Sequence, residues 1–385
     1  MYKKRVEDAI EAIKKGEMII IMDDEDRENE GDLVMAGIFS TPQKINFMAQ
    51  EACGLICVCV TNEIARKLDL PPMVRHNSSN HETAFTISID ARDAKTGISA
   101  YERDMTIRLM CKENATPQDF VRPGHIFPLI AKEGGVLVRT GHTEAGVDIC
   151  RLAGVLPIAV ICEIMKKDGT MARRGDKFLL DFSKKYNLKI LYVSDIIQYR
   201  LNYENLVSEI SHQKVKFMGA DSIKMEFKDH LGRIHTTFCF GDLDSNLATS
   251  TKGKKVIESK SSKDSKLVDS KQKGKKVIES KSDKSSPFVK FHAIRSDIDL
   301  LSNEKDYDAL LRAVKKLQKD GGYLIFLQND LLDSAKNMEH VKSFGVGAQI
   351  LRLLNIKNFR LLSSNKNEYT ALSGFNLKLV EKVKV

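Results

Sequence analysis

A direct repeat sets the first limit on how this chain of 385 residues can fold. Gly253-Lys-Lys-Val-Ile-Glu-Ser-Lys260 recurs as Gly274-Lys-Lys-Val-Ile-Glu-Ser-Lys281, inside a stretch, 245–287, that is rich in Lys and Ser and has no aromatic residue. Such a composition cannot bury enough apolar surface to offset the entropy of ordering it. Packed cores must therefore be built on either side, with a flexible, solvated insert between them. A second reading, docking of the insert on an RNA or an anionic membrane surface, has less support because no aromatic interleaves the lysines.

The same stretch accounts for the chain's charge. Residues 252–284 hold twelve Lys against five acids, a local balance of +7 that leaves +2 of the total +9 to everything else. The basic balance therefore says little about the substrate of the folded parts, and no nucleic-acid partner is expected. No apolar run approaches the roughly 18 residues of a membrane span, and Met1-Tyr-Lys-Lys-Arg5 leads into an amphipathic pattern rather than an export signal. A cytoplasmic protein without a membrane partner is expected. Its seven cysteines are scattered and odd in number, so neither a disulfide framework nor a paired Cys-x-x-Cys zinc site is indicated.

Residues 1–203 read as a layered α/β or α+β domain. Val6, Ala9, Ile10 and Ile13 predict a helix over about Arg5–Lys15, stopped by Gly16. Strands are expected at Met18–Met22, Gly54–Val60, Ala84–Ile89, Gly135–Val138, Pro157–Met165 and Lys189–Val193. Helices are expected at Ser99–Lys112 and Glu144–Leu152. Residues 206–385 read as a second, smaller α/β domain interrupted by the insert. Its expected elements are helices at Tyr307–Leu317 and Gly345–Leu354 and strands at Tyr323–Leu327 and Arg360–Leu362.

Chemistry concentrates in the first domain. Directly after the apolar run at Met18–Met22 comes Asp23-Asp-Glu-Asp-Arg-Glu-Asn-Glu-Gly-Asp32, in which seven of ten residues are acidic. Crowded carboxylates repel one another, so such a loop is either a solvated acidic turn or a site that recruits cations. Oxygen donors suit a hard ion such as magnesium. The spacing does not fit an EF-hand.

Arg139-Thr-Gly-His-Thr143 is the second constellation. Arg139 can fork onto phosphate oxygens. Gly141 admits an anion to the backbone, and Thr143 lies at a helix start, where free amides favour phosphate. His142 could ligate a metal; a capping Thr beside a surface His explains the pattern as well. His125 lies in Arg122-Pro-Gly-His-Ile-Phe-Pro128, read as a turn fixed by Pro and Gly. Glu163 interrupts an apolar strand, where a carboxylate is costly unless paired or used.

In order along the chain, Asp23–Asp32, Arg122–Pro128, Arg139–Glu144 and Asp168-Gly-Thr-Met-Ala172 resemble the motifs of the 3,4-dihydroxy-2-butanone 4-phosphate synthases of riboflavin biosynthesis, over about residues 5–203. The resemblance implies a lyase that converts D-ribulose 5-phosphate to 3,4-dihydroxy-2-butanone 4-phosphate and formate. It implies that Glu28 and His142 hold a pair of magnesium ions, with manganese as an alternative. Substrate contacts would fall to Arg27, Glu28, Asp32, Arg139, Thr140, Gly141, His142, Thr143 and Glu163. Glu30, Asp32, His125 and Glu163 would be catalytic, with either Glu30 or Asp32 as the first base. A homodimer with active sites at the subunit interface is expected. Cys57 lies near the site in that family, but a buried apolar thiol is the simpler expectation.

The second half resembles GTP cyclohydrolase II through Phe344-Gly-Val-Gly-Ala-Gln-Ile-Leu-Arg352, Arg360–Asn365 and Val380–Val385, with departures at the chemistry. Three zinc-binding cysteines are expected near His292–Asp297, yet residues 288–310 contain none. Gln328-Asn-Asp-Leu-Leu332 replaces the nucleotide motif, and His340–Ser343 stands where a catalytic Asp and Arg are expected. A degenerate domain without zinc or cyclohydrolase activity is the leading reading. A bifunctional enzyme and a non-catalytic interaction module remain beside it.

Overall fold

The computed structural model describes residues 2–25, 27–81, 83–241, 286–294, 296–328, 336–363 and 377–385. The expected insert at 245–287 lies, but for its last two residues, outside them. The chain divides into two compact units, Met1–Glu204 and Asn205–Val385. No helix among the described residues is long and apolar enough to cross a membrane.

The first unit runs α1 (Tyr2–Lys14), β1 (Ile19–Met22), β2 (Gly31–Ala36), α2 (Pro42–Phe47), β3 (Cys57–Val60), α3 (Asn62–Lys67), β4 (Ile89–Ala91), α4 (Ala100–Met110), β5 (Phe120–Ile130), α5 (His142–Leu152), β6 (Ala159–Glu163), α6 (Lys177–Lys185), β7 (Lys189–Tyr192) and α7 (Val193–Tyr203). The strands form one mixed sheet in the order β4-β5-β3-β6-β2-β1-β7. β1 is apolar throughout and wholly buried, as a strand covered on both faces must be. Ile20, Met22, Leu33, Met35, Val58, Val60 and Val160 fill one face beneath Ile45 of α2, Ile107 of α4 and Phe182 of α6. The alternate residues turn to the other face, where α5 packs on β2, β3 and β6, and α1 packs on β7. Asp32 pairs with Glu163 across β2 and β6, so two carboxylates meet at one end of that second face.

Three expected elements differ. Ala84–Ile89 is not one strand: Phe85 and Thr86 make only isolated bridges, to Leu129 and Pro72, and β4 begins at Ile89. The expected turn at Arg122–Pro128 is part of the long strand β5. Gly124 does not turn the chain there. A Cβ on it would lie 2.1 Å from the Ile89 carbonyl carbon, so the glycine admits the β4 backbone at close range. Gly135–Leu137 is a short 3-10 turn rather than a strand; a four-residue apolar run has too little periodicity to separate the two.

The second unit holds β8 (Val207–Phe217), β9 (Ala220–Asp229), β10 (Ile234–Phe240), β11 (Phe288–Ala293), α8 (Asp297–Leu301), α9 (Glu304–Asp320), β12 (Gly322–Leu327), α10 (Lys336–Leu353), β13 (Asn358–Leu362) and β14 (Lys378–Val383). Its sheet order is β14-β13-β11-β12-β10-β9-β8. The antiparallel meander β8–β10 is continued by parallel pairs among β12, β11, β13 and β14. Ala313, Val314 and Leu317 of α9 pack with Phe240, Phe288 and Leu324 of the sheet.

Candidate active site

The acidic loop between β1 and β2 folds around one carboxylate. Asp23 is fully buried. Its Oδ1 accepts the Glu30 amide at 2.8 Å and its Oδ2 the Glu28 amide at 3.1 Å. Arg27 then bridges two acids, donating Nη1 to Asp23 Oδ2 at 2.8 Å and to Glu28 Oε2 at 2.5 Å. The loop thus spends its only base on neutralising part of its own charge.

The rest of that charge is met from α5. Gly141 caps the helix in an extended conformation, which makes His142 its first residue and Thr143 its second. His142 Nε2 donates to the Glu30 carbonyl at 3.2 Å, while Nδ1 faces Glu28 Oε2 at 3.7 Å and Nε2 lies 3.8 Å from Asp32 Oδ1. Burial opposes a charged imidazole, but Asp32, Glu28 and Asp23 outweigh it and raise His142 to about 9. Burial likewise pushes Glu28 up, yet His142 and Arg27 prevail and hold it at about 2. For Asp32 burial wins: assisted by Glu163 and Glu28 and opposed by His142, it lifts the carboxyl to about 8. Burial and the neighbouring Glu28 also raise Glu30. Asp32 Oδ1 is buried and accepts no hydrogen bond. Glu163 is half-buried at the end of β6, with Oε2 accepting the Leu55 amide at 2.8 Å. Cys57 is buried beside these acids, and burial, then Glu163 and Asp32, push its thiol well up. It is therefore a packing residue rather than a thiolate nucleophile.

Arg139 stands before α5 with its fork engaged. Nη1 donates to Glu144 Oε2 at 2.7 Å, and Nη2 to the His81 carbonyl at 2.9 Å and Thr83 Oγ1 at 3.1 Å. A Cβ on Gly141 would lie 2.4 Å from Arg139 Nη1, so any larger residue would have to push the guanidinium aside. Thr140 links the two. A guanidinium beside the first-turn amides of a helix could cradle an anion.

Among the described residues, Asp23, Glu28 and His142 form a group that could hold a metal ion, their ligand atoms all within 4.8 Å of one another. Two carboxylates and an imidazole, with Asp32 Oδ1 lacking a donor beside them, fit a hard divalent cation. The Glu30 carbonyl on Nε2–H leaves Nδ1 as the nitrogen that could ligate and fixes the ring. Asp23 was not singled out by sequence reasoning; its only signal is that it is the first acid after the buried strand.

His125 is not part of this cluster. β3 and β6 separate its strand from β2, three inter-strand spacings or about 14 Å. It is instead an exposed residue whose Nδ1 lies 2.7 Å from Asp90 Oδ2. Asp90, from β4, was also missed; 35 residues separate the partners and no local pattern joins them.

A family model described as 3,4-dihydroxy-2-butanone 4-phosphate synthase matches residues 7–199, and one described as GTP cyclohydrolase II matches residues 268–384. The 3,4-dihydroxy-2-butanone 4-phosphate synthase of Helicobacter hepaticus is 62% identical, with 100% of both chains covered. That of Helicobacter pylori is 52% identical over 100% of this chain and 99% of its own. The riboflavin biosynthesis protein RibBA of Bacillus subtilis is 40% identical over 98% of this chain and 92% of its own. Among solved structures, a two-domain 3,4-dihydroxy-2-butanone 4-phosphate synthase from A. baumannii, 36% identical, aligns with a TM-score of 0.75 over 99% of each chain.

Proposed function

The chain belongs to the 3,4-dihydroxy-2-butanone 4-phosphate synthase family, and we propose that its activity is that of a magnesium-dependent lyase working at the Asp23–His142 cluster of the first unit. It converts D-ribulose 5-phosphate to 3,4-dihydroxy-2-butanone 4-phosphate and formate. The observation that carries the site assignment is the convergence of Asp23, Glu28 and His142 beside the facing pair Asp32 and Glu163.

Glu28 and His142, with Asp23, hold the magnesium; manganese, also oxygen-loving, suits the same donors. When bound, the ion polarises the substrate ketone and stabilises charge developing on its oxygens. Arg139 and the amides of Thr143 and its neighbours at the start of α5 take the phosphate, with Thr140 and Gly141 shaping the cradle. Arg27, forked onto Asp23 and Glu28, would be free to contact the sugar once those carboxylates held the ion. The reaction opens with removal of a proton next to the ketone. Asp32, whose Oδ1 accepts no hydrogen bond, and half-buried Glu30 are the bases within reach. Rearrangement and loss of one carbon as formate need further proton transfers, which Glu163 shares with Asp32.

His125 enters this site through a second copy of the chain. It is exposed, its Nδ1 is committed to Asp90, and Nε2 is the nitrogen left for proton transfer. Exposed Ile98 and Val121, and Tyr101 and Met105 on one side of α4, form apolar surface near it of the kind a homodimer covers. The synthase unit is assigned to 1–203, in the cytoplasm, where seven free cysteines are at home.

The unit at 206–385 is assigned as a cyclohydrolase-like domain that no longer acts on GTP or carries zinc. It contains one cysteine, Cys239, which is buried on β10 opposite Tyr323. The test is formate release by the purified full chain. Turnover of ribulose 5-phosphate should vanish in excess chelator and return with magnesium; undiminished turnover in chelator would refute the metal role.

A further inference from the structure

Arg200, near the end of α7, plays no part in the cluster above, yet its side chain is 2% exposed, with Nε and Nη1 both engaged. Nη1 donates to the Gly134 carbonyl at 2.6 Å and to Asp148 Oδ2 at 2.7 Å. Nε donates to the Glu204 carboxylate at 3.1 Å. Asp148 Oδ2 also accepts the Val136 amide at 2.9 Å, and Oδ1 accepts Arg151 at 3.0 Å. Gly135 sits between them at φ +63°, and a Cβ on it would lie 2.3 Å from the Asp148 oxygens. One helical turn earlier on α5, Glu144 accepts the Lys132 amide at 3.0 Å and Arg139 Nη1 at 2.7 Å.

Two buried carboxylates one turn apart thus grip a single segment of chain. Glu144 holds its beginning at Lys132 and its end at Arg139. Asp148 holds its middle at Val136, and Arg200 closes over Gly134 and neutralises Asp148. A buried ion pair serves stability poorly, since apolar residues often replace it without loss. This one spends its hydrogen bonds on the backbone of a turn that ends at the anion cradle.

We propose that Arg200 is a positioning residue for phosphate binding: through Asp148 it fixes the 132–138 turn, and so fixes where Arg139 stands over the start of α5. This rests on the reading of Arg139 as a phosphate ligand. Lysine at 200 keeps the charge beside Asp148, but one ammonium cannot also span Gly134 and Glu204 in the fork's geometry.

The test uses the magnesium-loaded full chain and compares Arg200→Lys, Asp148→Asn, Arg139→Lys and the double variant Arg139→Lys/Arg200→Lys. Arg200→Lys should raise KM for ribulose 5-phosphate about tenfold, within the range of loss for a group that orients a ligand. Its kcat should stay within about twofold, and the inhibition constant of inorganic phosphate should rise with KM. Asp148→Asn, which keeps an acceptor for Val136, should shift both constants the same way by about threefold. In the Arg139→Lys background, Arg200→Lys should add less than about twofold, because both act through one contact. Lys44→Met, which removes bonds to the Gly16 and Phe39 carbonyls away from the site, provides a destabilised control whose KM should not move. Unchanged KM and phosphate inhibition in Arg200→Lys, or a full additional rise in the double variant, would overturn the proposal while leaving the Arg139 reading intact. An unchanged KM in Arg139→Lys would overturn both.

Discussion

Each unit buries a histidine beside a buried carboxylate, and the two clusters differ in how far their charges are satisfied. In the second unit, Asp229 accepts the Leu231 and Arg233 amides, Arg233 Nε and His235 Nε2. His235 Nδ1 in turn accepts the Gln328 amide at 3.1 Å. Burial opposes the Asp229 charge, but His235 and Arg233 carry it far below the usual carboxylate range. In the first unit, Asp23, Glu28, Glu30, Asp32 and Glu163 face Arg27 and His142, and a buried Asp32 oxygen accepts no hydrogen bond. Buried polar groups are normally satisfied. A cluster that falls short has donors to offer a cation, the role proposed for it above, while a cluster that closes on itself is part of the fold. Residue types alone do not separate the two.

The strongest way to break the comparison is to remove ligands from the unsatisfied cluster. Glu28→Gln and His142→Ala should each lower formate release from ribulose 5-phosphate by more than about 100-fold, the scale of losing an essential polar group at a reacting centre. Circular dichroism should be unchanged. Near-normal turnover in either variant would remove the metal assignment. The matching change in the closed cluster, His235→Ala, should do the reverse. It strips a partner from buried Asp229 and should cost about 3 kcal/mol in denaturant unfolding of the second unit, with kcat of the synthase reaction within about twofold. A collapse of kcat there would show that the second unit is coupled to the chemistry.

Acidity gives a subtler contrast. His142, at about 9 in the fold against an ordinary 6.5, contributes stability that is full below pH 6.5 and is lost as pH rises through 9. Asp32, lifted to about 8 from 3.8, retains a proton in the fold that the unfolded chain has released, so stability also declines from pH 3.8 to 8. The metal-free first unit should therefore lose on the order of 5 kcal/mol between pH 6.5 and 9, and magnesium should flatten the curve. Glu28 works oppositely on the acid side: held at about 2 against 4.5, it contributes stability above pH 4.5 that is lost as pH falls through 2. Thermal melts across pH with chelator or magnesium check all three, and a flat metal-free curve from 6.5 to 9 would contradict the charge arrangement.

How much of this was legible beforehand follows from the range of each interaction. Glu28, His142 and the start of α5 were readable because loop, helix cap and motif are local. β2 was not, because Gly31–Ala36 follows without a break from the acidic run, and its place between β1 and β6 depends on pairings some 130 residues apart in sequence at Asp32 and Glu163. The same distance hid Asp90 behind His125. Gly124 was misread because a glycine that admits a neighbouring backbone and one that turns the chain look alike in one dimension. Asp148 and Arg200 carry no motif at all; their role appears only when α5 and α7 meet over the Gly134 turn.

The smallest expected effect is a null one, in the second unit. The full chain should release no formate from GTP with added zinc, and Cys239→Ser should leave both this result and the synthase rate unchanged. Water activation by zinc needs three protein donors around one open position, thiolates by preference. Cys239 is 1% exposed beside Tyr323 on the neighbouring strand, so zinc could reach its thiol only by displacing the groups that cover that face of the sheet. His235 has both ring nitrogens engaged, by Asp229 and by the Gln328 amide. His292 packs edge-on against Phe326, with ring centroids 5.4 Å apart. Cys239, His235 and His292 are thus built into strands β10 and β11 as packing and hydrogen-bonding groups. Zinc-dependent formate release from GTP that disappears in Cys239→Ser would show instead that this unit retains a working zinc site.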